Sequence, residues 1–254
     1  MSVIIKSEHE IKLMREAGNI LGMVHDELKT LVQPGISTFD LDRRAYDMIK
    51  SYGCTPSFLN YNGFPASLCV SINDQVVHGI PNKKTFLREG DIISIDAGVI
   101  YKGYHSDAAR TWAVGEVSLE ARKLIEVTRE SFYEGIKYAK AGNHLNDISS
   151  AIEEYVKPFG FSIVRDLVGH GIGKNLHEEP QIPNFRTRRR GVELVPGMTL
   201  AIEPMINIGG YNVRWLEDKW TVVTTDKSLS AHYENTVLIT TGEPEILSVA
   251  QNKL

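Results

Sequence analysis

Residues 91 to 107 read Asp91-Ile-Ile-Ser-Ile-Asp96-Ala-Gly-Val-Ile-Tyr-Lys-Gly-Tyr-His-Ser-Asp107, an apolar stretch interrupted by acids and by one turn signal. The isoleucines and valine predict a buried β-strand, and Lys102-Gly103 predicts a tight turn into a second strand. Asp96 and Asp107 each interrupt an apolar run, where an unpaired carboxylate costs several kcal/mol. A cation, a hydrogen-bond network or a proton must therefore compensate these two acids.

The predicted hairpin places both carboxylates on one face of the sheet. A two-residue loop at Lys102-Gly103 sets Asp107 opposite Gly98, two residues from Asp96. Because side chains alternate faces along a strand, this register keeps both acids together, whereas a slip of one residue separates them. Two aspartates that merely cap loops at strand ends are the alternative interpretation of this pair.

The composition is that of an ordinary globular protein. Of its 254 residues, 42% are hydrophobic and 24% are charged, and the formal net charge is −4. This charge gives no general attraction to nucleic acids or membranes, and no apolar run is long enough to span a bilayer. The N-terminal segment lacks the apolar core of a signal peptide, and two cysteines are too few for a disulfide framework. We therefore expect a cytoplasmic protein of one domain, residues 1–254, without a membrane or a specific nucleic acid as partner.

Helix and strand patterns follow the same order twice along the chain. Two capped amphipathic helices are predicted first, one after Ser7 that stops at Pro34-Gly35 and one after Ser37 that ends near Gly53. Two more are predicted at about residues 118–141 and 145–156. Strands are predicted after each helix pair, at residues 68–72, 76–77, 91–100 and 108–114, and then at 161–167, 199–208, 220–224 and 236–240.

An offset of 107 residues aligns the two halves without gaps. Glycines and acids coincide at this offset, among them Gly35 with Gly142, Gly90 with Gly197, and Asp96 with Glu203. The alignment predicts two similar α/β halves, roughly residues 1–115 and 116–254, packed about an approximate two-fold axis. Glu203 then becomes the counterpart of Asp96, and it too follows an apolar strand. Chance agreement is the alternative, because each single match is weak.

Five side chains at or near apolar strands are candidate metal ligands: Asp96, Asp107, His170, Glu203 and Glu234. Two like charges ~4 Å apart repel by about 4 kcal/mol at an effective dielectric of 20, so four carboxylates together require cations or protons. Carboxylates with one imidazole suit manganese, iron, cobalt or zinc, and two such ions about 3.5–4 Å apart form a hydrolytic centre. Whether the five residues converge is left open by the sequence.

Three further sequence motifs accompany the five candidate ligands. Residues 71–81 read Ser-Ile-Asn-Asp-Gln-Val-Val-His78-Gly-Ile-Pro, and Gly-His170-Gly-Ile-Gly and Leu-His177-Glu-Glu-Pro follow. These three motifs, together with the order, residue types and local contexts of the five candidate ligands, resemble the methionine aminopeptidase family in its bacterial type I form. The resemblance extends over essentially the whole chain. The resemblance implies the α+β pita-bread fold of family M24. In that fold two α/β halves are related by a pseudo-two-fold axis, with a central antiparallel sheet and helices on its outer face.

The resemblance implies a role for each candidate ligand. Asp107 and Glu234 would bridge two divalent metal ions, which are cobalt, manganese, iron or zinc. Asp96 would chelate one ion, and His170 and Glu203 would complete the coordination of the other. A bridging hydroxide would then attack the peptide carbonyl that follows an N-terminal methionine.

Three residues are implied in catalysis and substrate binding. Glu203 is a candidate general base, although a metal-bound carboxylate is a poor base unless its second oxygen is free. His177 would hydrogen-bond the scissile peptide, and His78 would reach the substrate backbone. Taken alone, either histidine is more simply a loop residue with satisfied hydrogen bonds.

The resemblance also implies an apolar pocket for methionine, at Phe58, Tyr61, Phe64, Cys69, Leu176 and Trp220. A thioether is unbranched and polarizable, so its pocket must be apolar and adaptable. Phe58, Phe64 and Leu176 differ in size from commoner family choices, which affects the expected pocket shape. Aromatic residues that belong only to the core are the alternative. Asn73 and Ser230 match a structural site for a monovalent cation, Na or K.

The implied function is removal of the initiator methionine from nascent proteins whose second residue is small. The partner is then a nascent polypeptide N-terminus, and a monomer is expected. An arginine-rich loop is either a solvated face or a transient ribosome contact; it comprises Arg186, Arg188, Arg189 and Arg190. Prolidase or proline aminopeptidase is an alternative of the same fold and ligands, but those enzymes carry an additional N-terminal domain. A catalytically silent binding protein is a third interpretation, which the presence of all five ligands disfavours.

Overall fold

The computed structural model describes residues 3–251, which form four α-helices and fifteen β-strands. The helices are α1 (Glu8–Leu31), α2 (Thr38–Ser51), α3 (Leu119–Ile136) and α4 (Leu145–Val156). The strands are β1 (Thr55–Pro56), β2 (Leu68–Ile72), β3 (Gln75–Val77), β4 (Ile92–Tyr101), β5 (Tyr104–Ala113), β6 (Ser162–Ile163), β7 (Gly169–Gly171), β8 (Glu178–Ile182), β9 (Thr199–Ile202), β10 (Met205–Asn207), β11 (Val213–Trp215), β12 (Val222–Thr224), β13 (Ser230–His232), β14 (Asn235–Leu238) and β15 (Glu245–Ile246). Within the described range, every helix is too short or too polar to cross a membrane.

β4 and β5 form the long antiparallel hairpin predicted from the sequence. Gly98 lies opposite Asp107, two residues along β4 from Asp96, so the register is the predicted one. Lys102 and Gly103 have left-handed φ angles of 47° and 85°, as a two-residue type I′ turn requires. Both carboxylates therefore share one face of the hairpin.

Local structure recurs at the offset of 107 residues. The amide of Gly35 donates to the carbonyl of Leu87 at 2.8 Å, and the amide of Gly142 donates to the carbonyl of Leu194 at 2.9 Å. The two glycines have left-handed φ angles of 92° and 88°. Isolated bridges follow the same offset, joining Ser37 to Phe86 and His144 to Glu193. Each half thus begins its second helix with the same turn.

A central antiparallel sheet joins the two halves. The amides of Ala109 and Glu234 donate to each other's carbonyls at 3.3 and 3.0 Å, which brings β5 against the segment that contains β13 and β14. In the second half, β9 pairs with β14 and β10 pairs with β13 in one continuous register. That register sets Glu203, between β9 and β10, opposite Glu234, between β13 and β14.

Two apolar clusters hold the helices on the outer face of the sheet. Leu21 of α1 and Leu41 of α2 are buried with Ile95 of β4 in the first half. Leu124 of α3 and Ile148 of α4 belong to the corresponding cluster of the second half. Because alternate residues of β4 face this way, Asp96 lies on the opposite face, away from the helices.

Three predicted elements are divided or shortened in the structure. The strand predicted at 199–208 is divided into β9 and β10 at Glu203-Pro204, because proline has no N–H to donate to the ladder. The helix predicted at 118–141 ends at Ile136, where the amides of Tyr138 and Ala139 form tight turns to carbonyls three residues back. The strand predicted at 161–167 is reduced to the two residues of β6.

We expect Gly35→Ala and Gly142→Ala to destabilise the protein equally, by roughly 1–2 kcal/mol each. A methyl group would meet no atom within 4 Å at either position, so the cost comes from the left-handed backbone alone. Free energies of unfolding from urea denaturation measure the effect, with Gly242→Ala as a control at a glycine without left-handed φ. A clear inequality between the two variants would contradict the equivalence of the two turns.

Candidate metal centre

The five predicted metal ligands converge on one face of the central sheet. Asp96 comes from β4, Asp107 from β5 and His170 from β7, while Glu203 and Glu234 occupy the two strand breaks. All five line one cavity of about 170 Å³. Ligand atoms of Asp107, His170 and Glu234 lie within 4.8 Å of one another. The structure therefore brings together residues that are up to 138 positions apart in the chain (234 − 96).

Burial raises the pKa of each of the four carboxyl groups. Desolvation is the main cause, and repulsion from Asp107 adds to it for Asp96, Glu203 and Glu234, whose pKa values lie well above the ordinary range. Desolvation raises the pKa of Asp107 to about 7. Asp96 Oδ1, Asp107 Oδ1 and Glu234 Oε1 are buried without a hydrogen-bond partner among the described residues. The cluster therefore needs protons or cations to be stable.

His170 is oriented towards the acids by its own backbone. Its Nδ1 donates to the Gly171 carbonyl at 2.8 Å, which leaves the Nε2 lone pair free. This Nε2 lies 3.7 Å from Glu203 Oε1 and 3.9 Å from Asp107 Oδ2, too far for hydrogen bonds but suitable for ligands of one ion. Burial lowers the pKa of His170 to about 3, so the ring is neutral, as a metal ligand must be.

The residues present fit a divalent metal ion. Four carboxylates and one neutral imidazole form the mixed oxygen and nitrogen set that first-row transition metals accept. Within residues 3–251, none of the four acids has an ion pair with lysine or arginine. The nearby Arg110 guanidinium donates instead to backbone carbonyls, including that of Glu234. Cations from solution are therefore the natural compensation for this charge.

His177 stands beside the acidic cluster and is held by a tyrosine. Its Nδ1 shares a hydrogen bond of 2.7 Å with the hydroxyl of Tyr61. The ring centroids of His170 and His177 are 4.3 Å apart, in an edge-on arrangement. Burial lowers the pKa of His177, which favours the neutral ring. The Tyr61 contact therefore fixes one face of the cavity next to the predicted metal ligands.

His78 adopts a strained backbone at the cavity wall. Its φ angle of 59° is left-handed, which is uncommon for a residue other than glycine. Its ring lies edge-on to Trp220, with centroids 6.5 Å apart. Burial, with a smaller effect of His177, lowers the pKa of His78 to about 4. Backbone strain of this kind concentrates at functional sites, and the role of His78 stays a prediction.

The other end of the cavity is apolar. It is lined by Phe58, Tyr61, Phe64, Cys69, Leu176 and Trp220. The rings of Phe64 and Trp220 meet edge-on at 5.1 Å between centroids. Cys69 lies opposite Asp96 in the pairing of β2 with β4. Burial and the neighbouring acids raise the pKa of its thiol well above the usual range, so Cys69 is a neutral wall residue and not a nucleophile.

Asn73 and Ser230, predicted for a monovalent cation, lie next to each other outside this cavity. The amide of Ser230 donates to the carbonyl of Asn73 at 2.9 Å. The Asn73 side chain binds Asp91 and the amide of Ile92, at 2.8 and 3.0 Å. The hydroxyl of Ser230 has no partner among the described residues. Cation binding at this place stays a prediction.

Two residues at the site were not singled out from the sequence. Asn62 lines the cavity from a short turn, with a left-handed φ angle of 50°. His232 lies behind the acids, with its Nε2 3.7 Å from Glu203 Oε2 and 3.9 Å from Glu234 Oε2. Neither stands in a motif. The pairing of β10 with β13, which sets His232 beside the acids, is not marked by a tight turn, because residues 208–229 lie between the two strands.

Comparisons with known proteins agree over the whole chain. Residues 12–241 match the family model of metallopeptidase family M24. The chain is 55% identical to the methionine aminopeptidase of Clostridium acetobutylicum over 249 residues, 98% of this chain and 100% of that protein. It is 50% identical to methionine aminopeptidase 1 of Bacillus subtilis over 246 residues, 97% of this chain and 99% of that protein.

A solved structure gives the same result for the fold. The crystal structure of methionine aminopeptidase from Thermotoga maritima matches with a TM-score of 0.96 at 43% identity, over 98% of this chain and 100% of that one. The predicted pita-bread fold is thereby confirmed. The chain belongs to metallopeptidase family M24 and, within it, to the methionine aminopeptidase family.

Proposed function

We propose that this protein is a divalent-metal-dependent aminopeptidase that removes methionine from polypeptide N-termini. The observation that carries the proposal is a single cavity in which an acidic end adjoins an apolar aromatic end. The acidic end suits metal ions and a free α-amino group, while the apolar end suits a thioether side chain. Membership of the methionine aminopeptidase family supports the same activity.

Two divalent ions are proposed at the acidic end, held by Asp96, Asp107, His170, Glu203 and Glu234. When bound, such ions would polarise the scissile carbonyl and lower the pKa of a coordinated water towards about 7. Asp107 and Glu234 are the proposed bridging ligands, because both are buried and each has an unpartnered oxygen. The proposed metal is cobalt, manganese, iron or zinc. Sites with mixed oxygen and nitrogen ligands accept several of these ions and select among them by availability as much as by affinity.

Residues around the ions are proposed to bind and orient the substrate. His177, fixed by Tyr61, would hydrogen-bond the scissile peptide, and the strained His78 would contact the substrate backbone. The apolar end would hold the methionine side chain and exclude water. Glu203 is proposed as general base as well as ligand, which requires one of its oxygens to remain off the metal.

The proposed substrate is a nascent polypeptide whose second residue is small, processed by a cytoplasmic monomer that acts as one catalytic domain over residues 1–254. The arginine-rich loop is proposed as a transient ribosome contact; in the structure Arg186 pairs with Glu154 and much of the loop is exposed. Asn73 and Ser230 are proposed to hold a sodium or potassium ion, which the unpartnered hydroxyl of Ser230 supports.

Protein loaded with Mn²⁺ should release methionine from Met-Ala-Ser and leave Met-Lys-Ser intact, because a small second residue is required. Liquid chromatography of the products measures both reactions, with an EDTA-treated sample as control. Failure to cleave Met-Ala-Ser would contradict the proposed activity, and equal cleavage would contradict the rule for the second residue. Preferential cleavage of an Ala-Pro dipeptide would favour the prolidase interpretation.

Asp96→Ala and Asp107→Ala should each lower kcat/KM on Met-Ala-Ser by at least about 100-fold, since each removes a proposed metal ligand. Circular dichroism should show a folded protein in both cases. Asp42→Asn is the matched control, because Asp42 also has a pKa raised by burial but binds only the backbone amides of Ser67 and Leu68. Full activity in either alanine variant would contradict the ligand assignment.

The metal-free protein should lose stability as the pH rises from about 6.5 to about 8. Carboxyl groups with a raised pKa keep protons that the unfolded chain has released, so rising pH favours unfolding by up to about 1.4 kcal/mol per pH unit for each group. The buried histidines, whose pKa is lowered, act in the opposite sense only below about pH 6.5.

Urea denaturation of EDTA-treated protein across that range tests this expectation. Asp107→Asn should reduce the slope, and excess Mn²⁺ should reverse it, because metal ions bind the ionised carboxylates. Stability that is constant or rising between these pH values in the absence of metal would show that the acids are already ionised and compensated by the protein.

A further inference from the structure

His232 is a buried histidine behind the proposed metal centre, and none of the roles above uses it. It ends β13 and is 1% exposed. Its Nε2 lies 3.7 Å from Glu203 Oε2 and 3.9 Å from Glu234 Oε2, and has no hydrogen-bond partner among the described residues. A buried ring nitrogen without a partner is costly, and one that faces two carboxylates calls for an explanation.

A threonine hydroxyl holds the backbone of His232 in the second half, just as another threonine hydroxyl holds the backbone of Asp107 in the first half. The hydroxyl of Thr236 accepts from the amide and donates to the carbonyl of Asp107, both at 2.9 Å. The hydroxyl of Thr111 makes the same two bonds to His232, at 2.9 and 2.8 Å. The reciprocal backbone bonds of Ala109 and Glu234 lie between the two threonine contacts, at the approximate two-fold axis. His232 is therefore the structural counterpart of Asp107.

Strand register gives the same correspondence. In the β4–β5 hairpin, Asp107 lies opposite the residue two positions beyond Asp96. In the pairing of β10 with β13, His232 lies opposite the residue two positions beyond Glu203. Asp96 and Glu203 are already equivalent at the offset of 107 residues. The pair of Glu203 and His232 thus repeats the pair of Asp96 and Asp107, on the face that carries the acids.

The His232 ring lies outside the cavity that the five proposed ligands line. The five proposed ligands line the cavity of about 170 Å³, whereas His232 lines a second cavity of about 300 Å³ together with residues of α1 and α3 such as Lys29 and Arg129. Glu203 consequently has one oxygen towards each imidazole. Its Oε1 is 3.7 Å from His170 Nε2, and its Oε2 is 3.7 Å from His232 Nε2.

We propose that His232 is a positioning residue that donates its Nε2–H to Glu203 Oε2 in the metal-loaded protein. The bond holds this oxygen away from the metal and leaves Oε1, on the side of His170, as the ligand atom. The inference rests on the proposed metal centre. Residues that orient a metal ligand in this way typically change metal affinity by about 10–100-fold when replaced.

Titration calorimetry of metal-free protein with Mn²⁺ tests the proposal. His232→Leu, which lacks the donor, should weaken Mn²⁺ binding by about 10–100-fold, while His232→Gln, which keeps an N–H of similar reach, should stay within about threefold of the unchanged protein. His25→Gln is the matched control, because His25 is another buried histidine of the second cavity, and glutamine can keep its bond to the Ala108 carbonyl.

Each outcome bears on the proposal. Wild-type affinity in His232→Leu would overturn it, and so would equal weakening in His232→Gln and His232→Leu. Pulsed electron paramagnetic resonance of the Mn²⁺-loaded protein should detect one coordinated imidazole; a second that disappears in His232→Gln would make His232 a direct ligand and overturn the positioning role. Absence of Mn²⁺ binding by the unchanged protein would contradict the proposed metal centre itself. Equal Mn²⁺ binding by the unchanged protein and by His232→Leu would contradict only the role of His232.

Discussion

The mutual repulsion of four carboxylates in one cavity is the constraint on which this site depends. Burial and the charge of Asp107 raise the pKa values of the other three acids, and three carboxylate oxygens lack partners among the described residues. No lysine or arginine in the described range is paired with them. The guanidinium of Arg110, the nearest such cation in sequence, donates its hydrogen bonds to neutral oxygens, which are backbone carbonyls and the side-chain oxygen of Asn235. The fold thus keeps negative charge uncompensated until cations or protons arrive.

Approximate two-fold symmetry explains how the chain holds such a cluster in place. Two threonine hydroxyls, from Thr111 and Thr236, fix the backbone of the opposite half on each side of the Ala109–Glu234 pair. These bonds are made by neutral groups and do not depend on the state of the acids. The backbone bonds therefore hold the carboxylates in place although they repel one another. A bound metal ion relieves this repulsion, which favours metal binding.

Much of this arrangement could be predicted from sequence, for identifiable reasons. The Lys102-Gly103 turn determines the hairpin register, and side-chain alternation then places Asp96 and Asp107 on one face. The end of α3 and the strand break at Pro204 were missed, since apolar periodicity continues past both. His232 was missed because its role arises only where two distant segments meet. A lone histidine in a short strand carries no local signal, and no tight turn marks the pairing of β10 with β13, because residues 208–229 separate the two strands.

Anomalous diffraction at the manganese edge, from crystals grown with Mn²⁺, shows whether metal ions occupy the acidic end of the cavity. We expect two anomalous peaks there, flanked by Asp107 and Glu234, with His170 Nε2 bound to one of them. A cavity without anomalous density, in which the four carboxyl groups hydrogen-bond to one another as protonated acids, would contradict this expectation.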